Sequence, residues 1–366
     1  MKTAIVILNW NGRDFLERFL PGLVMSVREA EGAEVIVADN GSTDGSLEFL
    51  KDKFPDIQTI AFDRNYGFTG GYNKALGQIE AQYYLLLNSD IEVTDGWLEP
   101  LVEWMDTHHL CGACAPKLHS WQERDMFEYA GAAGGYIDRY GYPLCRGRVL
   151  KMTEKDHGQY DEPADVMWVS GACLMIRDTL FKKLGGLDGR FFAHMEEIDL
   201  CWKVQLEGYK VTVVPESVLY HVGGGTLPAS SPWKLFLNYR NNLLMLENNL
   251  ARTYALQLYQ DGMEAKDAAE LGCRKASRTI FGRLVLDGLS SIVYLCTLRL
   301  SYFRSVCRAH RDYRRLAVRP SVHEVEEYVS EKGRIAGVEG IYGRWIVLQA
   351  MLHKKDIFRR IRIYFE

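Results

Sequence analysis

Short apolar runs that each end in a polar cluster constrain this chain more than any other feature. Ile5-Val-Ile-Leu8, Val35-Ile-Val-Ala38 and Tyr83-Tyr-Leu-Leu-Leu87, with a weaker run over Gln58–Phe62, end in Asn9-Trp10-Asn11, Asp39-Asn40-Gly41-Ser42, Asn88-Ser89-Asp90 and Asp63-Arg64-Asn65 respectively. Strands are expected over Lys2–Leu8, Glu34–Ala38, Gln58–Phe62 and Tyr83–Leu87, and helices between them over Phe15–Val27, Ser46–Lys53 and Gly70–Ile79. Strands at roughly 25-residue spacing with helices between them form βαβ units and a parallel sheet. The runs are continuously apolar, as expected of strands covered on both faces. Ligands of open α/β sheets bind at the carboxyl ends of the strands, so the Asn/Asp clusters mark the expected site.

Further along, the pattern is less regular. Residues 115–165 resist assignment; the Gly- and Tyr-rich stretch Gly131–Gly147 is expected to form loops and a short hairpin over the acceptor side. Val166–Arg177 reads as a strand, Thr179–Leu184 as a helical turn, Met195–Leu206 as a helix, and Lys210–Val214 as a strand stopped by Pro215. After a break at Gly223–Pro232, Trp233–Asn249 and much of 251–318 read as helices.

The charge is unevenly divided. Residues 1–230 hold 21 Lys+Arg against 34 Asp+Glu, a net of −13, and residues 231–366 hold 23 against 14, a net of +9. The first part is read as a nucleotide-binding domain and the second as a helical, basic region that meets an anionic surface. Thr279–Thr297 is the most apolar C-terminal stretch, but Arg283 and Asp287 interrupt it, and charges at the centre of a spanning helix cost about 2.5–3.5 kcal/mol each. The arginines at 299, 304, 308, 311, 314 and 315, with Tyr302 and Phe303, and a second cluster from Lys354 to Tyr364, suit a helix lying in a membrane interface. The acidic first part and the absence of a nucleic-acid motif leave no case for nucleic-acid binding. The same basic tail could serve homo-oligomer formation.

Eight scattered cysteines make no disulfide framework, and the lone CxxC at Cys111 and Cys114 reads better as buried thiols than as a zinc site. The N-terminal apolar run is too short for a signal peptide, so the expected location is the cytoplasm, peripheral to the inner face of the plasma membrane.

Three constellations carry chemistry. Asp39, at a strand end before a Gly/Ser turn, can accept hydrogen bonds from a base or ribose. Asn88-Ser89-Asp90 can offer a divalent cation two oxygen ligands, since residues two apart on an extended segment point the same way. In Phe191–Lys203, Glu196, Glu197 and Asp199 open a helix among Phe191, Phe192, Ile198, Leu200 and Trp202; carboxylates crowded in apolar surroundings gain proton affinity, which a general base needs. His221, after Val218-Leu219-Tyr220, is a candidate metal ligand.

In order and spacing these stretches, together with Asn65–Asn73 and Ser170-Gly171-Ala172, resemble the inverting family 2 glycosyltransferases of the GT-A fold, in particular the bacterial rhamnosyltransferase-like branch. The resemblance covers roughly residues 3–250. It implies an α/β GT-A fold, Rossmann-like, with a mainly parallel sheet flanked by helices, here with a C-terminal helical extension. It also implies a nucleoside-diphosphate sugar donor, possible donors being deoxythymidine-diphosphate rhamnose or a UDP-sugar, and Mn²⁺ or Mg²⁺ as cofactor. By resemblance, Asn9, Asn11, Asp39, Asn40, Ser42, Asp63, Arg64, Asn65, Gly71, Asn88 and Ser89 bind the donor, and Asp90 and His221 hold the metal. Trp168, Gly171, Ala172 and Asp199 line the donor or acceptor side. Glu197 is the catalytic base, with Glu196 in support. Asn88 stands where the family motif has Asp, and Glu196-Glu197 where it has Glu-Asp. The implied acceptor is a lipid-linked glycan or polysaccharide. A non-catalytic sugar-binding module would need no base. A nucleotidyltransferase would want a richer glycine loop than Asn9-Trp10-Asn11-Gly12-Arg13.

Overall fold

A computed structural model of the chain describes residues 1–28, 30–223 and 230–365; most of the expected break at 223–232 therefore lies outside the described residues. The first half begins with β1 (Thr3–Asn9), α1 (Arg13–Val27), β2 (Ala33–Asp39), α2 (Ser46–Lys53), β3 (Gln58–Ala61), α3 (Gly67–Leu76) and β4 (Tyr83–Leu87). It continues with β5 (Ile91–Val93), α4 (Leu98–Thr107), β6 (Cys111–Ser120), β7 (Gly135–Asp138), β8 (Pro143–Cys145), β9 (Arg148–Val149), β10 (Met152–Thr153) and β11 (Ala164–Asp165). Then come β12 (Cys173–Arg177), α5 (Asp178–Lys183), α6 (Glu196–Leu206) and β13 (Lys210–His221). The C-terminal part comprises α7 (Pro232–Gln260), α8 (Ala265–Cys296), α9 (Leu300–Leu316), α10 (Val322–Lys332), β14 (Ile341–Tyr342), α11 (Ile346–Leu352) and α12 (Ile357–Phe365).

The main sheet has the order β11-β13-β6-β12-β4-β1-β2-β3, with β5 paired to the end of β13. β1 to β4 pair in parallel, and the register sets Asn9 opposite Asp39. Continuous apolarity has the expected cause. Ala4, Val6, Tyr84 and Leu86 enter the core on the face shared with α3, α6 and α7, while Ile5, Ile7, Leu85 and Leu87 pack against α1 and α4. Antiparallel β12 is inserted between β4 and β6. A second sheet, β10-β9-β8-β7-β14, contains the expected hairpin (β7–β8) and recruits β14 from the C-terminal part.

Several sequence expectations change here. Pro215 does not stop β13, because the ladder with β6 skips from Val214 to Val218 and the missing N–H falls in that irregularity. Only Cys173–Arg177 of the 166–177 run joins β4; Trp168 instead pairs with Gly135. Helix α3 starts at Gly67, because the Phe192 carbonyl accepts from the Phe68 and Thr69 amides and so caps it from a distant loop. Cys111 and Cys114 lie buried in β6 as free thiols.

Candidate active site

The first polar cluster is assembled by the β1, β2 and β3 termini. Asp39 is buried, and both its oxygens accept from protein: Oδ2 from Asn9 Nδ2 at 3.0 Å and Oδ1 from the Ser42 amide at 2.9 Å. Ser42 Oγ also accepts from the Asn11 amide, and Asn11 Oδ1 from the Thr43 amide. Asn40 bonds Asn65 Oδ1, the Gly67 carbonyl and the Tyr66 amide. Asn9, Asn11, Asp39, Asn40, Ser42 and Asn65 are thus one polar network. Asp63 and Arg64 stand exposed at its rim. The Tyr66 hydroxyl, 2.7 Å from Asp63, holds that carboxyl below its usual range.

Topology brings the second cluster together across 131 residues. β5 pairs with β13 so that His221 lies opposite Ile91, next to Asp90. His221 Nε2 is 3.2 Å from Asp90 Oδ1, and both residues are buried. The other ring nitrogen, Nδ1, is 3.5 Å from Oε1 of buried Glu128 and makes no hydrogen bond. Burial alone would lower the histidine's proton affinity, but Asp90 and Glu128 on its two sides outweigh that and lift it to about 10. Burial raises the Asp90 carboxyl, and His221 more than reverses this, leaving it low. Asn88 and Ser89, half-buried, precede Asp90, and the Asn88 amide is fixed by the Ala172 carbonyl.

This pair fits a divalent cation. A carboxylate oxygen and an imidazole nitrogen 3.2 Å apart have the spacing of neighbouring ligands on an ion with bonds of roughly 2.1 Å. Among the described residues no group of three or more His, Cys, Asp and Glu could hold a metal alone, so the remaining ligands would come from a diphosphate and water.

The third cluster opens α6. Glu196 is buried, Glu197 half-buried, and Oε2 of each lacks a hydrogen-bond partner. Burial raises both carboxyls well above the usual range, Glu196 further because the charge of Glu197 is beside it. Backbone amides at the helix start oppose the shift at Glu197 without cancelling it. Glu197 packs against Gly171: a Cβ on that glycine would come within 3.5 Å of Glu197 Cβ and 3.3 Å of the Phe68 ring.

The loop before this helix is strained. Phe192, His194 and Met195 have φ of 66°, 70° and 74°, left-handed values that side chains rarely adopt. Two α7 residues hold it. Asn241 Nδ2 donates to the carbonyls of Phe191, Ala193 and His194 at 2.8–2.9 Å, and Arg240 Nη2 to those of Arg190 and Phe191 at 3.0 and 2.8 Å. His194 is kept neutral, its pKa pushed down to about 4 by burial and by Lys234.

Some expected site residues lie elsewhere. Trp168 is core: its Nε1 donates to the Tyr136 carbonyl and its indole covers Gly135. Asp199 is buried on the α7 side of α6, accepting from Asn248 and Asn249 and paired with Lys203. Gly71 is buried beside the polar network: a Cβ there would meet Leu8 at 2.7 Å and Asn40 Nδ2 at 3.1 Å, so its bare backbone lets α3 approach β1. Ala172 is buried and contributes its carbonyl. Glu128, Asn241 and Arg240 were not singled out by sequence. The one signal for α7 was its cluster of asparagines, residues that fit poorly in helix interiors unless their amides are needed there.

Comparison with known proteins bears on the family and the fold. Residues 4–185 match the family model described as glycosyl transferase family 2. The chain is 25% identical over 246 residues to the N-acetylglucosaminyl-diphospho-decaprenol L-rhamnosyltransferase of Mycobacterium tuberculosis, covering 61% of this chain and 76% of that one. It is 22% identical over 251 residues to the low-salt glycan biosynthesis hexosyltransferase Agl10 of Haloferax volcanii, covering 66% and 74%. The fold is similar to that of GalNAc-T7, solved with UDP, GalNAc and Mn²⁺, with a TM-score of 0.54 and 18% identity over 76% of this chain and 54% of that one. By the match over residues 4–185 and its rhamnosyltransferase relative, the chain belongs to glycosyl transferase family 2.

Proposed function

We propose that the protein moves a sugar, with inversion, from a nucleoside-diphosphate sugar to a hydroxyl of a lipid-linked or polysaccharide acceptor in cell-surface glycan synthesis. The observation that carries this reading is the separation of two chemistries on either side of the Gly171–Ala172 segment: a metal-competent Asp90–His221 pair, and a Glu196–Glu197 pair with an unpartnered oxygen on each and raised proton affinity.

The network around Asp39 and Asn40 shapes the nucleoside end, with Asp63 and Arg64 at its rim. Asp90 and His221 would hold Mn²⁺ or Mg²⁺. When bound, the ion supplies positive charge against that developing on the departing nucleoside diphosphate. Glu197, the more accessible of the pair, accepts the proton of the acceptor hydroxyl. The acceptor oxygen bonds to the anomeric carbon as the bond to the diphosphate oxygen breaks, so no covalent enzyme intermediate forms. Buried Glu196 keeps negative charge off its own carboxyl and thereby leaves the ionised role to Glu197.

Rhamnosyl and hexosyl relatives make deoxythymidine-diphosphate rhamnose and UDP-hexoses the first donors to try. The working site is read as the cytoplasmic face of the plasma membrane, with residues 231–366 as the membrane-facing part. The test is a donor screen with Mn²⁺, Mg²⁺ or EDTA, following release of nucleoside diphosphate and the anomer of the freed sugar. Metal-dependent release with inverted anomer from one donor is expected. A retained anomer, or no release from any donor by folded protein, contradicts the reading.

A further inference from the structure

Helix α8 has two unlike faces. Its inward face, including Ile280, Arg283, Asp287 and Ser291, is buried. Both charges of the 279–298 stretch point that way: Arg283 Nε donates to Asp287 Oδ1 at 2.7 Å, and its Nη1 to the Tyr140 carbonyl at 2.9 Å. From Phe281 to Leu295 the exposed residues of the helix are all apolar, whereas Arg274, Lys275 and Arg278 are exposed on its earlier turns. Phe281, Val285, Leu289, Ile292, Val293 and Leu295 are 44–68% exposed and recur at helical spacing over about 21 Å. The turn into α9 carries Leu298, 83% exposed. Helix α9 packs back on α8 and exposes Arg304, Arg308, Arg311, Arg314 and Arg315, none in an ion pair among the described residues.

We propose that the α8–α9 hairpin is a one-sided membrane anchor, its apolar face set into the outer acyl layer of an anionic bilayer and its arginines against the phosphate headgroups. Exposed apolar area and unanswered arginines are the two terms of interfacial binding. A spanning helix would carry the Arg283–Asp287 pair into hydrocarbon and strip α8 from α7. A symmetric pairing of two copies through this face would bring arginine rows toward each other, and α9 offers only Asp312, already paired with Arg240 at 3.8 Å. The hairpin also adjoins the catalytic loop. Ser305 Oγ bonds the Pro232 carbonyl, the Arg308 guanidinium lies 4.5 Å from the Phe236 ring and 5.4 Å from that of Trp233, and Trp233 meets Phe192 edge-on. A docked hairpin would therefore hold the Glu196–Glu197 end at the lipid surface, where a lipid-linked acceptor lies; this last step rests on the glycosyltransferase reading.

The test is flotation of the full chain with vesicles of phosphatidylcholine, with and without one-third phosphatidylglycerol. The wild type should float with the anionic vesicles roughly tenfold or more in excess over the neutral ones, an excess that shrinks as salt rises from about 0.1 M to about 1 M. The triple variant Val285→Ser/Leu289→Ser/Ile292→Ser should lose binding at both salts, and Arg304→Gln/Arg311→Gln/Arg314→Gln should lose the anionic preference. Melting curves matching wild type would establish that the variants fold. A wild type that floats with neither vesicle overturns the anchor, and so does one that forms a dimer broken by the serine variant. Donor binding measured without vesicles separates the two readings: flotation lost with donor binding intact counts against the anchor alone, and the reverse against the transferase reading alone.

Discussion

The carboxylates of the site differ in burial and in the groups beside them, and the consequences of replacing them differ accordingly. Glu197→Gln keeps the side chain's size and removes the base. Turnover should fall at least roughly a hundredfold while donor affinity stays within about twofold, measured by steady-state kinetics and calorimetry. The carboxyls of Glu196 and Glu197 are raised in the folded protein, so folding favours their protonated forms. The stability this confers is full below the ordinary carboxylate value and is lost as pH rises toward the raised folded value. Glu196→Gln should therefore melt higher than wild type at neutral pH, with the gap closing toward about pH 4. Equal melting curves at every pH would show that burial does not perturb the pair. Glu128 faces His221 from the side away from Asp90, as a carboxylate behind a metal-ligating imidazole does. Glu128→Gln should weaken Mn²⁺ binding roughly 10- to 100-fold, read by electron paramagnetic resonance of free Mn²⁺. This residue was invisible in sequence because its partner lies 93 positions away and the segment around it has no periodicity. Asp199, two residues on from Glu197, points roughly 200° around the helix toward α7, where it bonds Asn248 and Asn249 and so orients the helix.

Among the elements, β1 and β4 were legible because burial on both faces writes itself into nearly every position, and the edge strand β3, mostly exposed, gave the weaker run. The polar strand ends were legible too, and Asn9 and Asp39 do meet in register. What sequence did not disclose is how α7 acts. Its Asn241 satisfies three carbonyls of a loop whose left-handed residues would otherwise relax, and only the long-range packing of α7 on α6 supplies that. Asn241→Ala removes the side-chain donor to the Ala193 and His194 carbonyls, while that of Phe191 keeps Arg240, at a cost of about 1–3 kcal/mol for a buried polar group left unpaired. The outcome should be a lower melting temperature and a larger loss in kcat than in donor affinity, because the loop leads directly into Glu196 and Glu197 and reaches the Asn40 network only through the Phe192 carbonyl at the start of α3. A variant with normal kcat would show that the clamp does not position the base.

Over the whole molecule, the charge division of the sequence is concentrated at its basic end in the exposed arginines of α9. The C-terminal part is also structural: α7 buries Leu243, Leu244, Met245, Leu246 and Leu250 in the core shared with the main sheet, and β14 extends the second sheet. A chain cut after residue 230 should consequently be insoluble or lack a cooperative melting transition, whereas a stable fragment would mean that the helices are accessory. The central claim is that Asp90 and Glu197 divide the reaction, one holding the metal–donor end and the other the acceptor proton. The most direct measurement is donor titration of wild type, Asp90→Ala and Glu197→Gln, each with Mn²⁺ and with EDTA. The predicted result is binding that requires Mn²⁺ in wild type, persists in Glu197→Gln and is lost in Asp90→Ala. Donor binding that ignores both EDTA and Asp90→Ala would contradict it.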